Sequence, residues 1–258
     1  MLKLRILTVA ILLPVFAGCA FYLPSEWWAA LMFAAVLLAA GEWARLAGFG
    51  SLRSYLFYAA LAAAAFLLWR HRELGMAVFS ISVAFWAVAV PFALWRRPRL
   101  RNNAIGLLGG IMVLIPMWLA AVILQAAPAL MLALLAIVWI SDSAAYGAGH
   151  AIGRHKLAPA ISPGKTWEGV AGAFAAVAVY AAIFHYWWFP AMDLSFILLA
   201  FLAIAVLGIL GDLFESLLKR GANVKDSGTL LPGHGGVLDR IDALTAAMPL
   251  AALLFTTT

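Results

Sequence analysis

The sequence predicts an all-α integral membrane protein that crosses the bilayer many times. Of its 258 residues, 66% are hydrophobic and 11% are charged, and the mean hydropathy is +1.03. Soluble domains carry about 25% charged and about 45–50% apolar residues, so this chain has too much apolar surface for water. Its apolar residues also fall into runs of about twenty, the length of a helix that spans the hydrocarbon core. Helices are expected because lipid offers no partners to unpaired backbone groups.

The apolar runs predict nine membrane spans. They cover approximately residues 5–23, 27–47, 54–70, 75–95, 104–125, 128–148, 167–189, 194–218 and 243–258. A chain of this length has no room for a large soluble domain beside nine spans. We therefore expect one membrane domain over residues 1–258, with N-terminal helices in residues 1–126 and the catalytic helices and loops in residues 127–258.

The basic residues predict the orientation of these spans. With the N-terminus in the cytoplasm and the C-terminus in the periplasm, all but Arg70 and Arg72 of the 17 Lys and Arg residues fall on the cytoplasmic side, as the positive-inside rule requires. The net charge of +6 is then explained by cytoplasmic loops beside anionic membrane lipids, without a nucleic-acid partner. Four tryptophans are expected to form an aromatic belt at the outer interface: Trp27, Trp28, Trp187 and Trp188.

The acidic residues concentrate in the second half of the chain. Carboxylates are costly in lipid, so their positions indicate function. Seven of the 11 map to cytoplasmic helix ends or cytoplasmic loops: Asp142, Glu168, Asp212, Glu215, Asp226, Asp239 and Asp242. Their grouping predicts one site. Glu42, near the end of the second predicted span, is interpreted as a partner of Arg45 or as a snorkelling residue outside that site.

The eighth predicted span ends in a polar face. Asp212, Glu215, Ser216 and Lys219 are spaced i, i+3, i+4 and i+7, which places them on one side of a helix. The loop that follows, residues 219–242, contains cations, carboxylates and several glycines. Carboxylate oxygens select hard cations such as Mg²⁺, Lys and Arg bind phosphate, and glycines let backbone N–H groups approach an anion. This combination is typical of nucleotidyl transfer.

Two stretches resemble the phosphatidate cytidylyltransferase family. Residues 216–242 read Ser-x-Leu-Lys-Arg-x4-Lys-Asp-x-Gly-x2-Leu-Pro-x-His-Gly-Gly-Val-x-Asp-Arg-Ile-Asp, which is similar to the family signature. The second stretch comprises residues 141–147, Gly153-Arg154 and residues 162–169. One departure is visible at Gly164, where the family pattern leads us to expect a second lysine. Lys165 is therefore the better candidate for a phosphate contact in this stretch.

The resemblance implies a reaction in which CTP and phosphatidate give CDP-diacylglycerol and pyrophosphate. A phosphomonoester oxygen of the lipid attacks the α-phosphorus of CTP, and this nucleophile is already anionic near neutral pH, so no general base is needed. Cations must bring the two anions together, and a pair of metal ions can clamp the attacking and leaving oxygens. The resemblance further implies Mg²⁺ dependence, a bacterial inner-membrane location with a cytoplasmic site, and a possible homodimer.

Candidate roles follow from residue chemistry and from the resemblance. Asp212 and Asp239 are the first-choice metal ligands, with Asp226 and Asp142 as additional ones. The residues expected to act directly in catalysis are Lys225, Asp226, Asp239 and Arg240. The residues expected to bind substrate phosphates are Ser162, Lys165, Thr166, Ser216, Lys219, Arg220, Lys225, His234, Gly235, Gly236 and Arg240. His234 either donates to a phosphate oxygen or braces the glycine turn.

Two other functions fit parts of the pattern. A CTP-dependent polyprenol or lipid kinase would transfer the γ-phosphate to an alcohol and release CDP instead of pyrophosphate. A membrane transporter would also carry intramembrane acids, but transporters tend to place them at the midplane between inverted repeats. The acids here map to one side, in a loop suited to phosphate binding, which favours the transferase.

Overall fold

The molecule is a helical bundle with one small β-hairpin. The structure, a computed structural model, describes residues 2–98, 104–230 and 235–256. Its helices are α1 (Leu2–Tyr22), α2 (Ser25–Leu46), α3 (Ser51–Arg70), α4 (Gly75–Ala84), α5 (Val90–Arg96), α6 (Ala104–Leu124), α7 (Pro128–Ile152), α8 (Trp167–Trp188), α9 (Leu194–Gly221) and α10 (Leu238–Phe255). A π-helical turn, Phe85–Ala89, joins α4 to α5, so that Arg72–Arg96 forms one continuous segment.

The all-α polytopic fold is confirmed. Within the described residues, seven helical segments are long and apolar enough to cross a membrane: α2, α3, Arg72–Arg96, α6, α7, α8 and α9. The span predicted over residues 5–23 lies in α1, in which Ala10–Tyr22 is an apolar helical segment, and α10 carries charged residues in its first turn. The count of nine spans and the orientation of the termini remain predictions.

The outer surface of the bundle is apolar, as lipid contact requires. Phe66, Trp95 and Tyr186 are among the large side chains exposed there. Of the four tryptophans expected at the outer interface, three are exposed and Trp28 is not, and the depth of all four in the membrane remains a prediction. Trp28 is buried and its Nε1 donates to the carbonyl of Ala121 at 2.9 Å. It contacts α6 because it lies on the side of α2 that packs against that helix.

The C-terminal helix α10 lies at the centre of the bundle. It packs against α9, α6, α4, α7 and α2, and most of its residues from Ala243 to Phe255 are buried. It begins at Leu238, before the predicted start at residue 243. The apolar run marks only the membrane part of the helix, whereas its first turn carries Asp239, a residue type favoured at helix N-termini by the helix dipole.

Glycines bring pairs of helices into close contact next to the polar residues. A Cβ atom at Gly211 of α9 would lie 2.5 Å from the carbonyl oxygen of Asp242 in α10. A Cβ atom at Gly169 of α8 would lie 2.8 Å from the carbonyl oxygen of Ala145 in α7. Small residues permit such backbone contact in membrane bundles. The glycines therefore set the spacing within two helix pairs, α7 with α8 and α9 with α10, and Asp142, Asp212 and Asp242 lie on three of these helices.

Candidate active site

A β-hairpin follows α7 where only a cytoplasmic loop was expected. Strand β1 (Lys156–Ala158) pairs antiparallel with β2 (Ser162–Thr166). Strands this short are not stable by themselves, and both ends of the hairpin are anchored. The backbone N–H of His155 donates to the Glu168 carboxylate, whose Oε1 lies 2.6 Å from His155 Nδ1. At the tip, Arg220 Nε donates to the carbonyl of Ile161 at 3.2 Å.

Three residues predicted to bind phosphate lie in the hairpin or contact it. Thr166 is buried, and its Oγ1 accepts from the N–H of Gly169 at 3.1 Å, so it caps the N-terminus of α8. Arg220 is exposed and tethers the hairpin to α9, leaving part of its guanidinium for other partners. Ser162 lies half-buried at the start of β2. Glu168, one of the seven acidic residues grouped from the sequence, lies in the first turn of α8 and holds the base of the hairpin.

The hairpin places Lys165 against α9. Lys165 Nζ lies 2.6 Å from Asp212 Oδ2, and their side chains are 24% and 31% exposed. We call these two residues the open pair. Ser216, one turn along α9, donates to Asp212 Oδ1 at 3.3 Å. Asp142 of α7 interacts electrostatically with both members of the open pair.

A second ion-pair group, the buried triad, consists of Glu215, Lys219 and Asp239. Lys219 Nζ bonds to the Glu215 carboxylate and to Asp239 Oδ1, the latter at 2.7 Å. The side chains of Glu215 and Asp239 are 4% and 5% exposed. The i, i+4 spacing of Glu215 and Lys219 on α9 places them together, and the first turn of α10 brings Asp239 to them. The triad thus joins these two helices.

Asp239 has an environment different from the one expected of a metal ligand. Its Oδ2 accepts from the N–H of Gly236 at 2.8 Å and from the N–H and Oγ of Ser227, both at 2.9 Å. With Lys219 on Oδ1, the carboxylate accepts from three residues and is 5% exposed, so it is more enclosed than that of Asp212, which has two donor residues and is 31% exposed. Lys219, expected to bind phosphate, is likewise paired on two sides. In this conformation both residues organise the start of α10.

The loop after α9 presents its charges to solvent. Lys225 and Asp226 are exposed and line a cavity of about 430 Å³ together with Arg45. Arg240 is exposed in the first turn of α10. Gly235 has a φ of +80°, a backbone conformation that glycine adopts without strain. His234 lies outside the described residues.

Sequence reasoning missed the role of Glu42. This residue of α2 is buried, and instead of pairing with Arg45 or snorkelling it accepts hydrogen bonds from the N–H groups of Val237 and Leu238 and shares the hydroxyl proton of Ser227 with Asp239. A carboxylate inside an otherwise apolar run was the available signal. This signal did not predict the contact, because nothing in the neighbouring sequence indicates which distant segment a buried carboxylate will bind.

The carboxylates near the open pair can bind a hard cation whose other ligands are water and substrate phosphate oxygens. Among the described residues, no three His, Cys, Asp or Glu side chains converge closely enough to hold one ion by themselves. Asp142, Asp212 and Asp242 nevertheless interact electrostatically with one another, and their donors are all carboxylate oxygens. Mg²⁺ is usually held by one or two carboxylates together with water and substrate phosphates, so this donor set fits it.

Comparison with known proteins agrees with this geometry. The cytidylyltransferase family model matches residues 3–258. A phosphatidate cytidylyltransferase of Pseudomonas aeruginosa is 40% identical, over 98% of this chain and 97% of its own length. Those of Haemophilus influenzae and Bacillus subtilis are 50% and 48% identical, over 46% and 44% of this chain and 43% and 42% of their own lengths. With the match running through every helix that positions the polar residues, this chain belongs to the cytidylyltransferase family.

Proposed function

We propose that this protein transfers CMP from CTP to phosphatidate, giving CDP-diacylglycerol and pyrophosphate. The observation that carries the proposal is the open pair, with Asp142 beside it, where the hairpin meets an apolar bundle whose full length is similar to a phosphatidate cytidylyltransferase. A site between a polar hairpin and an apolar bundle can receive a water-soluble nucleotide from one side and a lipid headgroup from the other. These are the two substrates that the relative's name implies.

Lys165 is the residue best placed to contact the nucleotide. Its ammonium group is partly exposed and has Asp212 as its partner, and it can exchange that carboxylate for a phosphate oxygen. Asp212 and Asp142 would then hold Mg²⁺ that enters with the triphosphate, and bound Mg²⁺ neutralises phosphate charge during transfer. Asp242 adds a further carboxylate near them. We propose these three residues, instead of Asp239, as the metal-facing group.

The other residues predicted to act in the site differ in how exposed their side chains are, and we assign their roles accordingly. Arg220, Lys225 and Arg240 are exposed cations around the site, and we propose that they neutralise the triphosphate and the lipid phosphate and hold them for in-line attack. Ser216 donates to Asp212 and orients that carboxylate. Lys219 and Asp239 are assigned to the support of the loop. The phosphate-binding roles of His234, Gly235 and Gly236 stay predictions.

The test is a turnover assay with the purified full-length chain in detergent. We expect equal amounts of pyrophosphate and CDP-diacylglycerol from CTP and phosphatidate, with Mg²⁺ required and EDTA abolishing both products. A polyprenol or lipid kinase would release CDP instead, and a transporter would leave CTP unchanged. Either of those outcomes would contradict the proposal.

We further propose a location in the bacterial inner membrane, with the site on the cytoplasmic side. The excess of Lys and Arg on one side of the predicted topology and the bacterial relatives support this orientation. A homodimer is also proposed, on the family resemblance alone, and the mass of the detergent-solubilised complex would test it.

A further inference from the structure

Glu42 of α2 contacts the polar loop at the start of α10. Its side chain belongs to the N-terminal helices, is 3% exposed and is far in sequence from the residues it meets. Oε1 accepts from the N–H of Val237 at 2.9 Å, and Oε2 accepts from the N–H of Leu238 at 2.7 Å. The first N–H groups of a helix have no partner within the helix. Glu42 supplies that partner from another helix, and its negative charge suits the helix dipole.

The loop backbone is shaped to admit this carboxylate. A Cβ atom at Gly228 or at Gly236 would overlap the carboxylate of Glu42. Both glycines therefore permit a close approach that other residues would prevent. The same side chain thus contacts both chain segments next to residues 231–234, the one that precedes them and the one that leads from them into α10.

Ser227 links Glu42 to the buried triad. Its Oγ lies 2.8 Å from Glu42 Oε2 and 2.9 Å from Asp239 Oδ2. Its carbonyl oxygen lies 3.4 Å from a terminal nitrogen of Arg45, one turn after Glu42 on α2. Two residues of α2 therefore hold Ser227, and Ser227 in turn holds Asp239.

We propose that Glu42 is a positioning residue for the reaction, acting through Ser227, Asp239 and the first turn of α10 on the exposed Lys225 and Asp226. The inference rests on the proposed function. It implies that residues 1–126 contribute to the geometry of the site, and that a helix with no motif residue sets the loop's conformation. Glu42 itself has no role in contacting substrate, because it is buried and its oxygens are occupied by loop donors.

The test compares Glu42→Gln with Glu26→Gln, the same substitution at the other end of α2, where Glu26 is exposed. An amide at residue 42 presents an NH₂ group to at least one loop donor. We expect kcat per folded molecule to fall about 10–100-fold, as for residues that orient a catalytic group, with the KM for CTP changed by less than about threefold. Glu26→Gln should match the wild type in both constants.

A second variant and a second readout separate this inference from the proposed function. Ser227→Ala removes the hydroxyl link without burying an unpaired charge, and its kcat should fall while its thermal midpoint stays close to that of the wild type. Limited trypsin cleavage after Lys225 reports loop opening and does not depend on activity. Cleavage should be about tenfold faster in Glu42→Gln than in Glu26→Gln.

The outcomes are distinct. An inactive wild type with faster cleavage of Glu42→Gln would overturn the proposed function but leave the loop-holding role. Normal kcat in folded Glu42→Gln, or normal kcat in Ser227→Ala when Glu42→Gln does not fold, would overturn the positioning role. Unchanged cleavage in folded Glu42→Gln would also overturn it.

Discussion

The open pair and the buried triad are both ion-pair groups on α9, yet they differ in exposure and in number of partners. Lys165 and Asp212 each retain about a quarter to a third of their side-chain exposure, whereas Glu215 and Asp239 retain about a twentieth. Lys165 has one acidic partner at bonding distance, and Lys219 has two. A charge that must bind a substrate has to remain accessible, whereas a charge that braces two helices is best paired away from water.

Residues of the same type in the motif stretches have different environments in the two groups. Lys165 and Lys219 both lie in motif stretches, and Asp212 and Asp239 were both first-choice metal ligands. Residue type and motif membership do not distinguish binding residues from supporting residues. Burial and the number of protein partners differ between the two groups, and this difference supports our proposal that the open pair binds substrate and metal while the triad supports the helices.

The largest expected effect comes from breaking the triad. In Lys219→Met, Glu215 and Asp239 would be left buried without a cation, which destabilises a protein by about 3–5 kcal/mol. We expect a large drop in the thermal midpoint of the detergent-solubilised protein. Lys225→Met, at an exposed position, should change stability by about 0.5 kcal/mol or less. Normal stability of Lys219→Met with weakened CTP binding would restore Lys219 to the phosphate-binding group.

Breaking the open pair should affect turnover instead of stability. Lys165→Met is expected to lower kcat/KM by about 100-fold, equivalent to about 2.7 kcal/mol of transition-state stabilisation. The free energy of unfolding should change by about 1 kcal/mol or less, because the pair is partly exposed. Lys156→Met, in the other strand of the hairpin, is the matched control and should retain activity. Near-normal kcat/KM in Lys165→Met would remove the open pair from the site.

A smaller effect is expected when α9 and α10 are forced apart. In Gly211→Ala the new methyl group meets the backbone of Asp242, and such overpacking costs about 1–3 kcal/mol. The triad spans the two helices, whereas the open pair joins α9 to the hairpin, so the variant should lose stability before it loses Lys165 contacts. Gly221→Ala, with open space at its Cβ position, should behave as wild type. Equal thermal midpoints for the two variants would contradict this account of the helix contact.

Much of the fold was predictable because membrane helices are recognised from composition. The runs over 27–47 and 104–125 match α2 and α6 within a few residues, since lipid demands long, uninterrupted apolar segments. The start of α10 and the hairpin were not predictable in this way. Both lie outside the apolar runs, where tertiary contacts, such as the one between Arg220 and Ile161, decide the backbone.

The grouping of the polar residues was predictable from the sequence, but their individual contacts were not. The motif identified Asp142, Lys165, Asp212 and Asp239, and the i, i+3, i+4, i+7 spacing correctly grouped the polar face of α9, because spacing along one helix is a local property. Glu42 was missed as a contact of the loop because its partners are nearly two hundred positions away.

The sequence by itself determined that the chain is a membrane-embedded helical protein and where its acidic and motif residues concentrate, because lipid exposure and residue type act at each position separately. Only the tertiary structure decided which carboxylate meets which cation. The pairing of Lys165 with Asp212, the enclosure of Asp239 and the contact of Glu42 with α10 all join different elements. Such contacts depend on which helices pack together and how closely their glycines let them approach, and that information is not local to any segment of the chain.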